Sequence, residues 1–137
     1  MSVAQTESTL NAYMDVLLSG GDFASFFSDD VVWTTMETGE EIRGRDSMRD
    51  FIISIHTQLF DASVEVRRLV VADGSAVLEA VFVGKQTAEF AGIPATGAEV
   101  RLPYTVIYEV TGEQITALRA YLSIAALIQQ VRQSATV

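Results

Sequence analysis

The hydrophobic periodicity of the chain changes once, near Ala62, and that change limits the possible folds more than any single motif does. Upstream, Leu10, Tyr13, Met14, Leu17 and Leu18 recur at helical spacing and share one face. Gly20-Gly21 supplies the helix stop. Asp22 can cap a short second helix that packs Phe23, Phe26 and Phe27 inward. A β-rich run, Val31 to Thr35, follows; Gly39 marks a turn, and Glu40 to Arg43 reads as a short returning strand. A third helix is predicted over residues 46–60, with Met48, Phe51, Ile52, Ile55 and Leu59 on one stripe. Downstream the period becomes two. Asp73-Gly74 is a two-residue hairpin signal, and Thr111-Gly112 marks a second hairpin between residues 98–110 and 113–123. Ile124 to Val131 reads as a final helix. Helices followed by a long meander predict an α+β fold, with helices over one face of a curved antiparallel sheet. Such a sheet closed by helices is a cone with an apolar interior, suited to a small molecule.

The 137 residues suit one domain, residues 1–137, which can bury roughly 68% of its unfolded surface. A hydrophobic fraction of 49% excludes a disordered chain. Without cysteine there is no disulfide frame and no thiolate chemistry. Eighteen acids against nine bases, a net charge of −9, set the chain against phosphate backbones and anionic lipid, so neither nucleic acid nor membrane is an expected partner. The polar start MSVAQTEST does not read as a signal peptide, and no run approaches the ~20 apolar residues of a membrane span, so a cytoplasmic location is expected. One histidine cannot supply three metal ligands, and no Gly-rich phosphate loop or nucleophile elbow is present. Neither a metal nor an organic cofactor is expected.

Counting outward from Asp73-Gly74 pairs Ala72 with Ser75, Leu69 with Leu78, Arg67 with Ala80, and Glu65 with Phe82. The other face then carries Val66 opposite Val81, Arg68 opposite Glu79, and Val70 opposite Val77. Both faces are largely apolar. One is expected to line the pocket and the other to meet a second subunit, making a homodimer.

The stretch Phe90-Ala91-Gly92-Ile93-Pro94-Ala95-Thr96-Gly97-Ala98-Glu99-Val100 resembles the connector between the two C-terminal hairpins of SnoaL-like polyketide cyclases. Gly84-Lys85-Gln86-Thr87 is similar to that family's preceding strand end, with Gln86 in place of a histidine. Gly21-Asp22 and Phe27-Ser28-Asp29-Asp30-Val31-Val32-Trp33 fit its N-terminal half. The resemblance implies the NTF2-like, ketosteroid isomerase-like cone. It does not carry over the family's acid/base groups. The cyclase aspartate near the end of the last strand has no counterpart in Leu118-Arg119-Ala120-Tyr121-Leu122-Ser123. The limonene-epoxide hydrolase pattern there keeps Arg119 and Tyr121 but has Ala120 for its aspartate. That enzyme's other Arg and Asp fall on Ala80 and Phe82, and its water-holding Tyr and Asn on Trp33 and Thr35. The isomerase pattern places a base near Thr35, an acid near Thr105, and its tyrosine donor near Tyr13 or Met14.

Acid/base work therefore falls to other residues. Glu65 and Arg67 are candidates as base and anchor if the hairpin count holds; otherwise they are an exposed pair, since a one-residue slip turns both outward. His56, the only side chain that titrates near neutrality unaided, is a candidate for proton transfer or a rim histidine. Tyr13, Met14, Trp33, Thr35, Phe51, Ile55, Ala80, Phe82, Thr105, Leu118 and Ala120 are the expected substrate-binding residues. Thr105 alternates with Tyr104 and Tyr108, so only one set faces inward; a longer turn at 111–113 favours the tyrosines. Glu40-Glu41 and Asp29-Asp30 read as solvated turn acids. The expected function is cofactor-free cyclase- or isomerase-type chemistry on a hydrophobic, polyketide- or steroid-like carbonyl compound. The alternatives are a non-catalytic binder of such molecules and a dimeric interaction module.

Overall fold

The computed structural model describes residues 2–135. Helix α1 (Val3–Leu18) opens on a capping box, in which the Ser2 hydroxyl accepts from the Gln5 amide and the Gln5 side chain accepts from the Ser2 amide. It buries Leu10, Tyr13 and Met14. A 3₁₀ turn (Phe23–Phe26) leads into β1 (Phe27–Thr35) and β2 (Glu40–Arg43). Helix α2 (Arg45–Ile53) continues into a single π-helical turn (Ser54–Gln58), closed by the Leu59 amide donating to the Ser54 carbonyl at 2.8 Å. Then come β3 (Phe60–Ala72), β4 (Ser75–Gln86), β5 (Glu99–Thr111), β6 (Gln114–Tyr121) and α3 (Ile124–Ala135).

The strands form one curved, unclosed sheet in the order β2-β1-β6-β5-β4-β3. Neighbours are antiparallel except β1 and β6, which run parallel and put Trp33 beside Leu118 and Thr35 beside Ala120. A meander alone does not imply this pair. It arises because α2 and the long hairpins intervene before the chain returns to β1. The helices lie over the concave face, and Leu10, Tyr13, Phe27, Met48, Leu78, Ile115 and Leu118 form the core between them.

Register shifts decide which side chains of β3 and β6 face inward. The Asp73-Gly74 turn pairs Ala72 with Ser75, Val70 with Val77, Leu69 with Leu78 and Arg68 with Glu79, as counting predicts. At Arg67 the register shifts by one, so Val66 opposes Ala80, Glu65 opposes Val81, and Val64 opposes Phe82. The extra residue of a bulge exchanges the two faces of everything beyond it. Val64 takes the inward place expected of Glu65. A second shift, between Glu109 and Val110, sets Tyr108 opposite Leu118 and Val106 opposite Ala120. The extra residue, Thr116, is in β6, so the shift turns Leu118 and Ala120 inward. β5 keeps one alternation throughout, with Tyr104, Val106, Tyr108 and Val110 on the inner face and Thr105 outward, opposite Tyr121 and Glu79.

The valine strip expected on the outer face is broken by the first bulge. Val70 and Val77 oppose each other and stand 49% and 37% exposed; Val66 is 45% exposed but lies opposite Ala80, and Val81 is buried opposite Glu65.

Candidate active site

Between the concave face and the helices lies a cavity of about 370 Å³, within the usual range of small-molecule sites. Tyr13, Met14 and Leu17 reach it from α1, Trp33 and Thr35 from β1, and Phe51 and Ile52 from α2. The sheet contributes Val64, Phe82, Leu102, Tyr104, Tyr108 and Leu118, among others. Leu122, Ile124 and Leu127 close it from the C-terminal side. Its solvent-exposed lining residues, Thr38, Glu40 and Glu41, mark the mouth. There the Ile124 amide donates to the Glu37 carboxylate at 3.0 Å, tying the start of α3 to the β1–β2 turn.

The π-turn carries Ile55, His56 and Leu59 to the cavity wall. Such single π-turns often occur at functional sites. His56 Nδ1 lies 2.9 Å from the Ile52 carbonyl oxygen, and its ring packs on Phe82 at 5.7 Å between centroids. A carbonyl only accepts, so Nδ1 carries the proton and Nε2 holds a free lone pair. Burial lowers the His56 pKa, and the bond to Ile52 opposes that in part. The imidazole is therefore neutral at pH 7 and available as a base.

Three tyrosines face the same space. Tyr13 and Tyr108 are almost fully buried, with rings 6.1 Å apart, and Tyr104 follows Tyr108 along β5 on the same face. Among the described residues none of the three hydroxyls has a hydrogen-bond partner in the protein. Burial pushes Tyr104 up to about 12 and raises Tyr13 and Tyr108 further, so all three remain protonated donors. Trp33, by contrast, spends its indole N–H on the Thr35 hydroxyl at 2.9 Å and presents its ring, packed on Phe51 at 5.3 Å.

The profile of the SnoaL-like polyketide cyclases matches residues 9–131. The chain belongs to that family. No curated protein sequence matches it. Its fold is similar to a SnoaL-like polyketide cyclase from Jannaschia sp. CCS1, at 17% identity over 93% of this chain and 92% of that one, with a TM-score of 0.81. It is also similar to a ketosteroid isomerase from Kribbella flavida, at 22% identity, 88% and 79% coverage and a TM-score of 0.69. A limonene-epoxide-hydrolase-like enzyme from M. tuberculosis superposes with a TM-score of 0.73 at 14% identity, covering 96% and 92% of the two chains.

Within this SnoaL-like cone the residues singled out from sequence separate into three groups. Tyr13, Met14, Trp33, Thr35, Phe51, Ile55, His56, Phe82 and Leu118 border the cavity. Ala80 and Ala120 are on the inner face but fully packed in the core, and the cavity does not reach them. Glu65, Arg67 and Thr105 are outside it. Glu65 is an exposed carboxylate held by Arg67 at 3.1 Å and Arg101 at 3.2 Å, and Thr105 lines a shallow outer groove. Arg119 and Tyr121 are also on the outer face, with Arg119 paired to Glu109 at 2.7 Å. Sequence reasoning passed over Val64, which the bulge turns inward, and the place of Glu40 at the cavity: it begins the expected strand β2 and is exposed, but it lies on the inner face opposite Thr35. The signal that could have found Glu40 is its parity with Ile42, two residues on.

Proposed function

We propose that this SnoaL-like protein binds a hydrophobic carbonyl compound, of polyketide or steroid type, and moves a proton on it without a cofactor. The observation that carries this reading is the coexistence, in one apolar cavity, of a neutral imidazole with a free Nε2 and three unpartnered phenol hydroxyls. Hydroxyls that face a cavity and no protein acceptor are free to donate to a ligand oxygen. His56 Nε2 would take the proton from the carbon next to a carbonyl. The resulting enolate oxygen would accept from a tyrosine, chiefly Tyr104, one inner-face row (about 7 Å) from Phe82, on which His56 packs. The imidazolium then returns the proton. Delivery to another carbon gives isomerisation. If the enolate carbon first attacks a second carbonyl of the same molecule, delivery to the new alkoxide gives cyclisation. Proton transfer by a placed base contributes roughly 10²–10⁴-fold.

The test is deuterium exchange at the α-carbon of 2-tetralone in heavy water, with quenching of Trp33, the only tryptophan, as the measure of occupancy. The protein is expected to accelerate exchange, and His56→Gln to lose roughly a hundredfold or more while quenching persists. Quenching without any exchange would favour a second reading, a pure binder. That reading draws on the carboxylates among the described residues that border the cavity, which are confined to Glu40 and Glu41 at the mouth. The outer sheet face, with Val70 and Val77 exposed among charges of both signs, is proposed to receive a second copy of the chain.

A further inference from the structure

The charges around the cavity are not used by proton transfer. Among the described residues that border it there is no Lys or Arg, and the carboxylates are Glu40 and Glu41. Arg43 pairs with Glu41 at 2.8 Å, and among the described residues no cation pairs with Glu40. In the β1–β2 register Glu40 opposes Thr35 and Ile42 opposes Trp33, so Glu40 lies one inner-face row, about 7 Å, beyond the Trp33 ring. Trp33 packs on Phe51, and its N–H is already bonded to Thr35, which leaves the π-face as what it offers a ligand. An aromatic face and an unpaired carboxylate at one opening are the chemistry of cation recognition. The net charge of −9 attracts cations to that mouth and repels anions. A carboxylate or phosphate on a ligand would find no counter-charge anywhere in the cavity.

We infer that the cavity takes a hydrophobic ligand bearing a protonated or quaternary amine, with the amine at the mouth between Glu40 and Trp33 and the apolar body inside. This rests on the reading of the cavity as a ligand site and adds the ligand's charge class to it. The probes are 3-phenylpropylamine, 3-phenylpropanol and 3-phenylpropanoate, matched in shape and titrated into the full chain with Trp33 fluorescence and calorimetry as readouts. The amine is expected to bind roughly three- to tenfold tighter than the alcohol at low salt, with the carboxylate weakest and the advantage shrinking at high salt. Glu40→Gln should collapse the amine-to-alcohol ratio toward one, whereas Glu113→Gln, at the distant β5–β6 turn, should preserve it. An alcohol that binds as well as the amine, or a ratio indifferent to Glu40→Gln, overturns the charge assignment and leaves the cavity reading standing. If no member of the series binds, both fail.

Discussion

His56 shows how one residue is tuned by position alone. In the unfolded chain its pKa is the ordinary 6.5; in the fold, burial against Phe82 lowers it. Between the lowered value and 6.5 the unfolded chain binds more protons than the folded one, so stability rises with pH across that window and is lost on acidification. Urea titrations at steps between about pH 5 and 7.5 should therefore show stability increasing with pH. His56→Gln should flatten the slope contributed by this group. An unchanged slope would mean that the imidazole is solvated in the folded protein, and its role as a neutral base would go with it. The same burial acts oppositely on Tyr13, Tyr104 and Tyr108, because their charged form is the deprotonated one. One environment thus yields a base and three donors.

At the scale of elements, the site depends on irregularities rather than on regular strands and helices. The bulge at Arg67 exchanges Glu65 for Val64 on the inner face, and the extra residue Thr116 in β6 turns Leu118 inward beside the tyrosines of β5. The π-turn delivers His56. The connector after β4 is held by one side chain: Gln86 is buried, donates to the Ala88 and Ile93 carbonyls at 3.0 and 2.9 Å, and accepts from the Thr96 hydroxyl at 3.1 Å. The Phe90–Ile93 turn, with Ala91 at φ 51° and Gly92 at φ 78°, then sets Phe90 against Phe60 and into the cavity wall. Gln86→Ala should cost about 1–3 kcal/mol, because the Ala88 carbonyl and the Thr96 hydroxyl lose the partner Gln86 gave them, whereas the Ile93 carbonyl still accepts from the Phe90 amide. Amide hydrogen exchange should accelerate across residues 87–97. If exchange there is unchanged, the connector is held by its own turn and Gln86 is dispensable.

For the whole molecule, the question is what covers the outer face of the sheet. Val70 and Val77 form an exposed pair, bordered by Arg68 and Glu79, with Glu65, Arg67 and Arg101 farther along the same face. A surface carrying both signs of charge around a small apolar centre can complement itself through a twofold axis. Sedimentation at micromolar concentration should report a dimer, and Val70→Glu with Val77→Glu should shift it to monomer while the helical signal in circular dichroism stays intact. A monomer in the unaltered protein would reject the second copy as the occupant of this face. Among the described residues no helix is long and apolar enough to cross a membrane.

The order of elements was legible from periodicity. Helical spacing at Leu10–Leu18 and Met48–Leu59 places α1 and α2, and Asp73-Gly74 and Thr111-Gly112 place the hairpins within a residue or two. These are local signals, since side-chain spacing and turn chemistry act between residues close in the chain. The connector Phe90–Val100 was enough to point to the family. The candidate site was legible only in part. Tyr13 and Trp33 could be placed by the positions the family resemblance implies, and Phe51 and His56 because they lie on or beside the apolar stripe of a helix. Glu65 and Arg67 could not, because a bulge has no strong signature in sequence and a shift of one residue reverses a strand's faces. Thr105 could not, because alternation along β5 separates two sets of residues and only the pairing with β4 decides which set faces inward. Ala80 and Ala120 have the inward direction but not the exposure, since the packing of the helices decides where the cavity ends. The parallel β1–β6 pair, the convergence of three unpartnered hydroxyls and the unpaired Glu40 at the mouth all join residues far apart in the chain. Local propensity carries no information about such meetings; only the folded sheet, with its bulges and curvature, brings them about.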